Sequence, residues 1–111
     1  MIEIVIKQFL DKNLAAPSYL EKPAKPPDRY VLFEKTSGRD KDQISSSTFA
    51  FQSYAESMYE AAKLNEELKR AVRDLIIEND ISHIKLNSDY NFTDTTTKEH
   101  RYQAVFDISH Y

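Results

Sequence analysis

Residues Ser45–Ile77 read SSSTFAFQSYAESMYEAAKLNEELKRAVRDLII, and this stretch decides the fold. Its first part alternates between two faces. Phe49 and Phe51 share one, and Ala50, Gln52 and Tyr54 share the other, which predicts a strand over Ile44–Tyr54. Its second part repeats every three to four residues. Met58, Ala61, Ala62, Leu64, Leu68, Ala71, Val72, Leu75 and Ile76 cover about half of a helical wheel, the wide apolar face of a helix packed on a core. Glu56, Glu60, Lys63, Glu66, Glu67, Arg70, Arg73 and Asp74 fill the other half, with Glu66 and Arg70 spaced for an i,i+4 pair. Ser53 and Ser57 each have a glutamate three residues on and fit a capping box. Ser57 is preferred, because Tyr54 and Ala55 still read as strand. Asn79 and Asp80 mark the exit. Asn65 lies inside the apolar arc; the reading expects a helix-edge residue reaching solvent, against the alternative of a buried hydrogen bond or partner contact.

Working outward, Ile81–Phe92 alternates along its length. Ile84, Leu86, Ser88, Tyr90 and Phe92 are expected on one face, and His83, Lys85, Asn87, Asp89 and Asn91 on a wet one. Thr93–Lys98 is a loop without glycine. Glu99–Tyr111 is the last strand, with Tyr102, Ala104, Phe106 and Ile108 inward. These two strands form a long hairpin able to extend beyond the sheet body. On the other side, Arg29–Lys35 is a strand by its β-branched and aromatic content. Thr36–Gln43 is expected to be a polar loop around Gly38, the surface most suited to binding. Pro17 and Pro23 bound a short piece containing Ser18 and Tyr19 that suits an edge strand, and Lys22–Asp28, KPAKPPD, is a stiff connector. Met1–Leu14 carries both a strand alternation (Ile2, Ile4, Ile6) and a helical stripe (Ile2, Val5, Ile6, Phe9, Leu10). Its length favours the helix. The order predicts an α+β fold: a mostly antiparallel sheet of about four to five strands, with the long helix and the N-terminal helix packed on one face.

Composition narrows function. The chain has 111 residues, the size of a single domain over 1–111 that forms a core without staples. Having no cysteine, it has no disulfides, thiolate catalysis or zinc ribbon. Its one glycine excludes glycine-rich phosphate loops. A net charge of −3 does not favour a nucleic-acid partner. No apolar run approaches the roughly 18 residues of a membrane span, and MIEIVIKQFL carries an early glutamate and no small-residue cleavage site, unlike a signal peptide. His83, His100 and His110 lack ligand spacing. Ser45, Ser46 and Ser47 lack a nucleophile-elbow context, and the carboxylates lie on a solvated helix face. No constellation supports an enzyme or calls for a cofactor or metal. Phe49 and Phe51 suit core packing better than base stacking, since the basic-glycine-aromatic motif of an RNA-recognition sheet is missing.

Several segments together carry a family resemblance. The tyrosine-containing strand between prolines is followed by RYVLFEKTSGRD (Arg29–Asp40), STFAFQSYAESMYEAAKL (Ser47–Leu64) and a closing RYQAVFDI (Arg101–Ile108). From about Ala16 to Tyr111 this resembles the small tail-completion proteins of tailed bacteriophages, the tail terminator and head-to-tail joining proteins. The positions that carry it are Thr36, Ser37 and Gly38 in the turn; Phe49, Phe51, Ser53, Tyr54 and Ala55 in the strand; Glu60, Ala61 and Ala62 in the helix; and Arg101 and Tyr102 at the last strand. Ser37 stands where a second glycine is common. The resemblance implies a non-catalytic structural protein of the virion, a minor tail protein at the head-proximal end of the tail that assembles in the host cytoplasm. It implies a ring, usually of six subunits, capping the tail tube and meeting the head connector or stopper protein, with DNA only as cargo passing through. The interface residues expected on this basis are Ser37, Gly38, Arg39, Asp40 and Lys41 in one loop and Asp94 and Lys98 in the other. The alternative is a non-catalytic protein- or nucleic-acid-binding α+β module.

Overall fold

The computed structural model describes residues 1–41 and 44–111, with the backbone alone of Lys41. The chain runs α1 (Ile2–Asn13), β1 (Ser18–Tyr19), β2 (Tyr30–Lys41), β3 (Ile44–Ala55), α2 (Met58–Asp74), a 3-10 turn (Leu75–Ile77), β4 (Ile81–Asn91) and β5 (His100–His110). The sheet order is β1-β2-β3-β5-β4; β1 pairs parallel with β2 and every other pair is antiparallel. The fold is α+β, as expected. Helix α2 carries the chain from β3 to β4, and β5 returns between them. The β4–β5 hairpin is therefore not an extension beyond the sheet: β5 pairs with β3 from Ser45↔His110 to Ala55↔His100 and forms the middle of the sheet.

The core lies between the helices and one sheet face. Phe33, Phe49, Phe51, Phe106 and Ile108 from the sheet meet Ile6, Leu10, Leu68, Val72 and Leu75 from the helices, all almost fully buried. Phe33 and Phe51 stack at 5.5 Å, and Phe106 meets Phe51 edge-on at 5.9 Å. The N-terminal segment takes the helical alternative: Ile2, Ile6 and Leu10, four residues apart, form its buried stripe. It is tied to β1 through Asp11, which accepts from Lys7 Nζ at 2.8 Å and Ser18 Oγ at 2.7 Å. Burial alone would raise the Asp11 pKa; these two partners outweigh it and hold it low. Ser57 caps α2, its Oγ accepting from Glu60 N–H at 3.1 Å.

Four expectations are corrected. Thr36–Lys41 is strand, not loop. β3 offers a partner at each position from Ser37↔Thr48 to Lys41↔Ile44, and a bulge at Thr36 absorbs the mismatch. Asp42 and Gln43, the rest of that expected loop, lie outside the described residues. In β4, alternation breaks twice: at Ser82, between Ile81↔His110 and His83↔Ser109, and at Asn87, where Leu86 faces Phe106 but Ser88 faces Val105. Beyond Asn87 the faces exchange, and Asp89, expected in solvent, points at α2 while Tyr90 turns away. Asn65 is 1 % exposed and bonds Asp89, so the buried hydrogen bond replaces the solvent-facing reading. Ile76 is half exposed, because tightening to a 3-10 turn at Leu75 rotates it off the buried stripe.

The opposite sheet face bears a polar and aromatic network. Tyr54 OH donates to Gln52 Oε1 at 3.0 Å and accepts from Arg101 Nη1 at 2.8 Å; Gln52 Nε2 donates to Gln103 Oε1 at 2.9 Å, and Gln103 donates to Tyr90 OH. Tyr30 stacks flat on Tyr54 at 4.5 Å, but its own hydroxyl is buried without a hydrogen-bond partner among the described residues. Burial, then the neighbouring Tyr54, pushes its pKa up to about 12 from 10.0. Replacing Tyr30 by phenylalanine keeps the stack and removes an unsatisfied hydroxyl, so stability at neutral pH is expected to rise by about 1 kcal/mol. A raised folded-state pKa gives stability that is fully present below pH 10 and lost as pH rises toward 12. The Y30F variant should lose less over that window. Urea titrations at pH 7 and pH 11 check both, and a destabilised Y30F at pH 7 would mean that the hydroxyl has a partner.

Candidate functional site

The expected interface residues fall in two groups at opposite ends of the sheet. Ser37, Gly38, Arg39 and Asp40, all exposed, and the backbone of Lys41 lie in the far half of β2, beside Ile44–Thr48. Asp94 and Lys98 lie in the turn joining β4 to β5, near Tyr30 and Ala55. Strands of this length separate the two groups by about 30 Å, within a molecule of 44 × 25 × 24 Å. The structure does not bring them together as one site; it sets them at two ends.

Each end has its own construction. In the β4–β5 turn, Asp94 accepts from Thr96 N–H at 2.8 Å and Thr97 N–H at 3.4 Å. These backbone donors hold its carboxyl below the ordinary range. Lys98 closes the turn with a φ of 58° and donates its N–H to Asp94 O at 2.8 Å. This is the left-handed conformation that usually falls to glycine or asparagine. At the β2–β3 end, Gly38 leaves room for Lys35, whose Cε would lie 2.7 Å from a Cβ at that position. Asp40 bonds Ser45 Oγ, and Ser47 Oγ lies 3.1 Å from His110 Nε2.

The sheet has two open edges between these ends. Among the described residues β4 pairs on one side only, along its whole length. β1 covers β2 only at Val31 and Leu32; Phe33 is buried and Glu34–Asp40 are exposed without a second strand beside them among the described residues. Across this edge-to-edge span β2, β3, β5 and β4 alternate in direction, so the two open edges run antiparallel to each other.

A buried polar cluster fixes the upper part of β4. Asp89 accepts from Asn65 Nδ2 at 2.7 Å and pairs with Lys69 Nζ at 2.5 Å, and Glu66 pairs with Lys69 at 2.8 Å, in place of its expected partner Arg70. Burial alone would lower the Lys69 pKa; Asp89 and Glu66 overcome it and raise it. Sequence reading missed Lys69 and Asp89. The available signal was Asn65 and Lys69 one turn apart beside the apolar arc.

None of this assembles recognisable catalytic chemistry. Ser47 is 2 % exposed, and among the described residues no carboxylate bonds His110, so the pair lacks the access and the orienting group of a nucleophile–base pair. Among the described residues no group of three or more His, Cys, Asp or Glu could hold a metal ion, and no helix is long and apolar enough to cross a membrane. No protein-family model matches the chain, and no curated protein matches it.

Proposed function

We propose that this chain is a non-catalytic, ring-forming structural subunit of the phage virion, a tail terminator or tail-completion protein that caps the tail tube and joins it to the head connector or stopper protein. The observation that carries the reading is the pair of antiparallel open edges on opposite sides of one sheet. A subunit with unlike surfaces on its two sides adds copies head to tail, and such contacts close into a ring when the rotation per copy closes. The resemblance of the sequence to tail-completion proteins supplies the kind of ring, usually of six copies, and the place of assembly, the host cytoplasm and then the head-proximal tail end. An elongated subunit with differently built ends suits a ring that meets different partners above and below. The β2–β3 end offers the exposed strand residues Ser37–Asp40, and the β4–β5 end a turn fixed by Asp94. DNA passes through such a ring as cargo, and the net charge of −3 disfavours its retention.

Electron microscopy of lysates from a phage or prophage lacking this gene tests the proposal. Over-long tails, or finished tails lying unjoined beside filled heads, are the expected result, and they separate length control from joining. Normal joined particles would overturn it.

A further inference from the structure

Resting on the reading that copies of this chain form a ring, we infer that they join through one staggered strand pair. His83–Lys85 of β4 in one copy adds antiparallel to Glu34–Ser37 of β2 in the next, with Lys85 opposite Glu34 and the bulge at Thr36 turned out of the pairing.

Strand direction permits this pairing. A copy rotated about an axis along the strands presents its β2 edge antiparallel to the first copy's β4 edge, so the alternation continues from subunit to subunit. The open lengths also match. β1 blocks β2 at Val31 and Leu32 and Phe33 is fully buried, so a neighbour begins at Glu34. β4 is bent by the bulge at Asn87, and beyond it Asp89 is drawn to α2, so the pairing stretch ends before it, at Lys85. Faces match as well. Lys85 lies level with Asp107 and Glu34 level with Ala50 and so with Val105; positions 105 and 107 share a face of β5. Leu86 lies level with Phe106, and Phe33 level with Phe51 and so with Ala104, on the core side.

Charge selects the stagger. Glu34 and Lys85 are both exposed, and neither is in an ion pair among the described residues. An unstaggered alignment sets His83 beside Arg39 and Ile84 beside Gly38. Moving by two residues brings Lys85 to Glu34, an opposite-charge cross-strand pair, and a sheet that closes on itself requires stagger. A two-fold β4–β4 pairing sets Lys85 against Lys85 or His83 of the other copy. Lysines and bulges guard an edge against indiscriminate pairing; here they leave one partner with complementary charge.

The absence of cysteine makes the test direct. Purified E34C and K85C variants, mixed at millimolar concentration and mildly oxidised, should form a mixed disulfide dimer in large excess over the product of either variant alone. The double variant E34C/K85C should give a ladder that ends at a ring. The E34K variant should weaken self-association several-fold, and E34K/K85E should restore it. A K85C homodimer as abundant as the mixed one, or no mixed disulfide while the wild-type chain sediments as an oligomer, overturns the pairing. So does a wild-type chain that stays monomeric at this concentration. Each of these leaves the tail-completion reading standing, because that reading is decided by particle morphology.

Discussion

Replacing Phe51 by alanine is expected to cost about 3–5 kcal/mol of folding stability, enough to leave a domain of ordinary stability of about 5–15 kcal/mol marginal or unfolded at 37 °C. The reason is position. Phe51 is fully buried at the centre of the sheet, stacked on Phe33 at 5.5 Å, edge-on to Phe106 at 5.9 Å and tilted against Phe49 at 6.2 Å. Its strand is hydrogen-bonded on both sides, Phe51 facing Phe33 in β2 and Ala104 in β5, so the backbone is poorly placed to collapse into the space left behind. The small Ala104 beside it offers no side chain to refill the cavity. The paired control is Tyr59→Ala on the solvent face of α2, where the ring is 73 % exposed and the change should be within about 0.5 kcal/mol. Urea unfolding followed by circular dichroism measures both. A loss below about 1 kcal/mol for F51A would remove Phe51 from the centre of the core.

Phe51 also shows why so much of this fold was legible from sequence. Its strand has strict alternation, its helix has a wide apolar arc with a serine cap, and each signal agrees with the element beside it. Where legibility failed, the cause was a partner rather than a local preference. Thr36–Lys41 is too polar to read as strand, and only the facing residues Ile44–Thr48 make it one. The bulge at Asn87 has no sequence mark, because alternation of residue types runs on through Phe92 while the backbone slips by one. A slip of one exchanges the faces of everything beyond it. Residue types alone therefore place Asp89 in solvent and leave Asn65 without its partner. The expected interface residues are polar and fall in expected loops. The edge positions Glu34 and Lys85 looked like ordinary outward strand charges, and which strands lie at the edges follows only from β5 inserting between β3 and β4.

The cluster that this slip creates gives the second large effect. Asp89→Ala is expected to cost about 2–3 kcal/mol, although it deletes a side chain that a strand pattern would place in water. The substitution strands Lys69, 8 % exposed, and the amide of Asn65, 1 % exposed, without their shared acceptor. Breaking a buried pair from one side costs about 3–5 kcal/mol because a charge is left uncompensated. The lower figure applies here, since the Asp89 side chain is itself about a quarter exposed and Glu66 still reaches Lys69. Removing both charges should cost less than removing one: K69M/D89L is expected to recover most of the loss, and the cycle to give a coupling of about 1–2 kcal/mol. The pH dependence has a definite sign. The raised Lys69 pKa means that its contribution is fully present below pH 10.5 and lost as pH rises through the folded-state value, so wild type and D89A should converge in strongly alkaline solution. Hydrogen exchange locates the damage. In D89A, amides from Ser88 to Asn91 should open faster, while Ile84–Leu86 keep the protection given by β5. Equal loss across β4 would mean that the cluster supports the whole strand. Confined loss would mean that it fixes only the bend at Asn87, leaving the His83–Lys85 edge open as the proposed pairing requires.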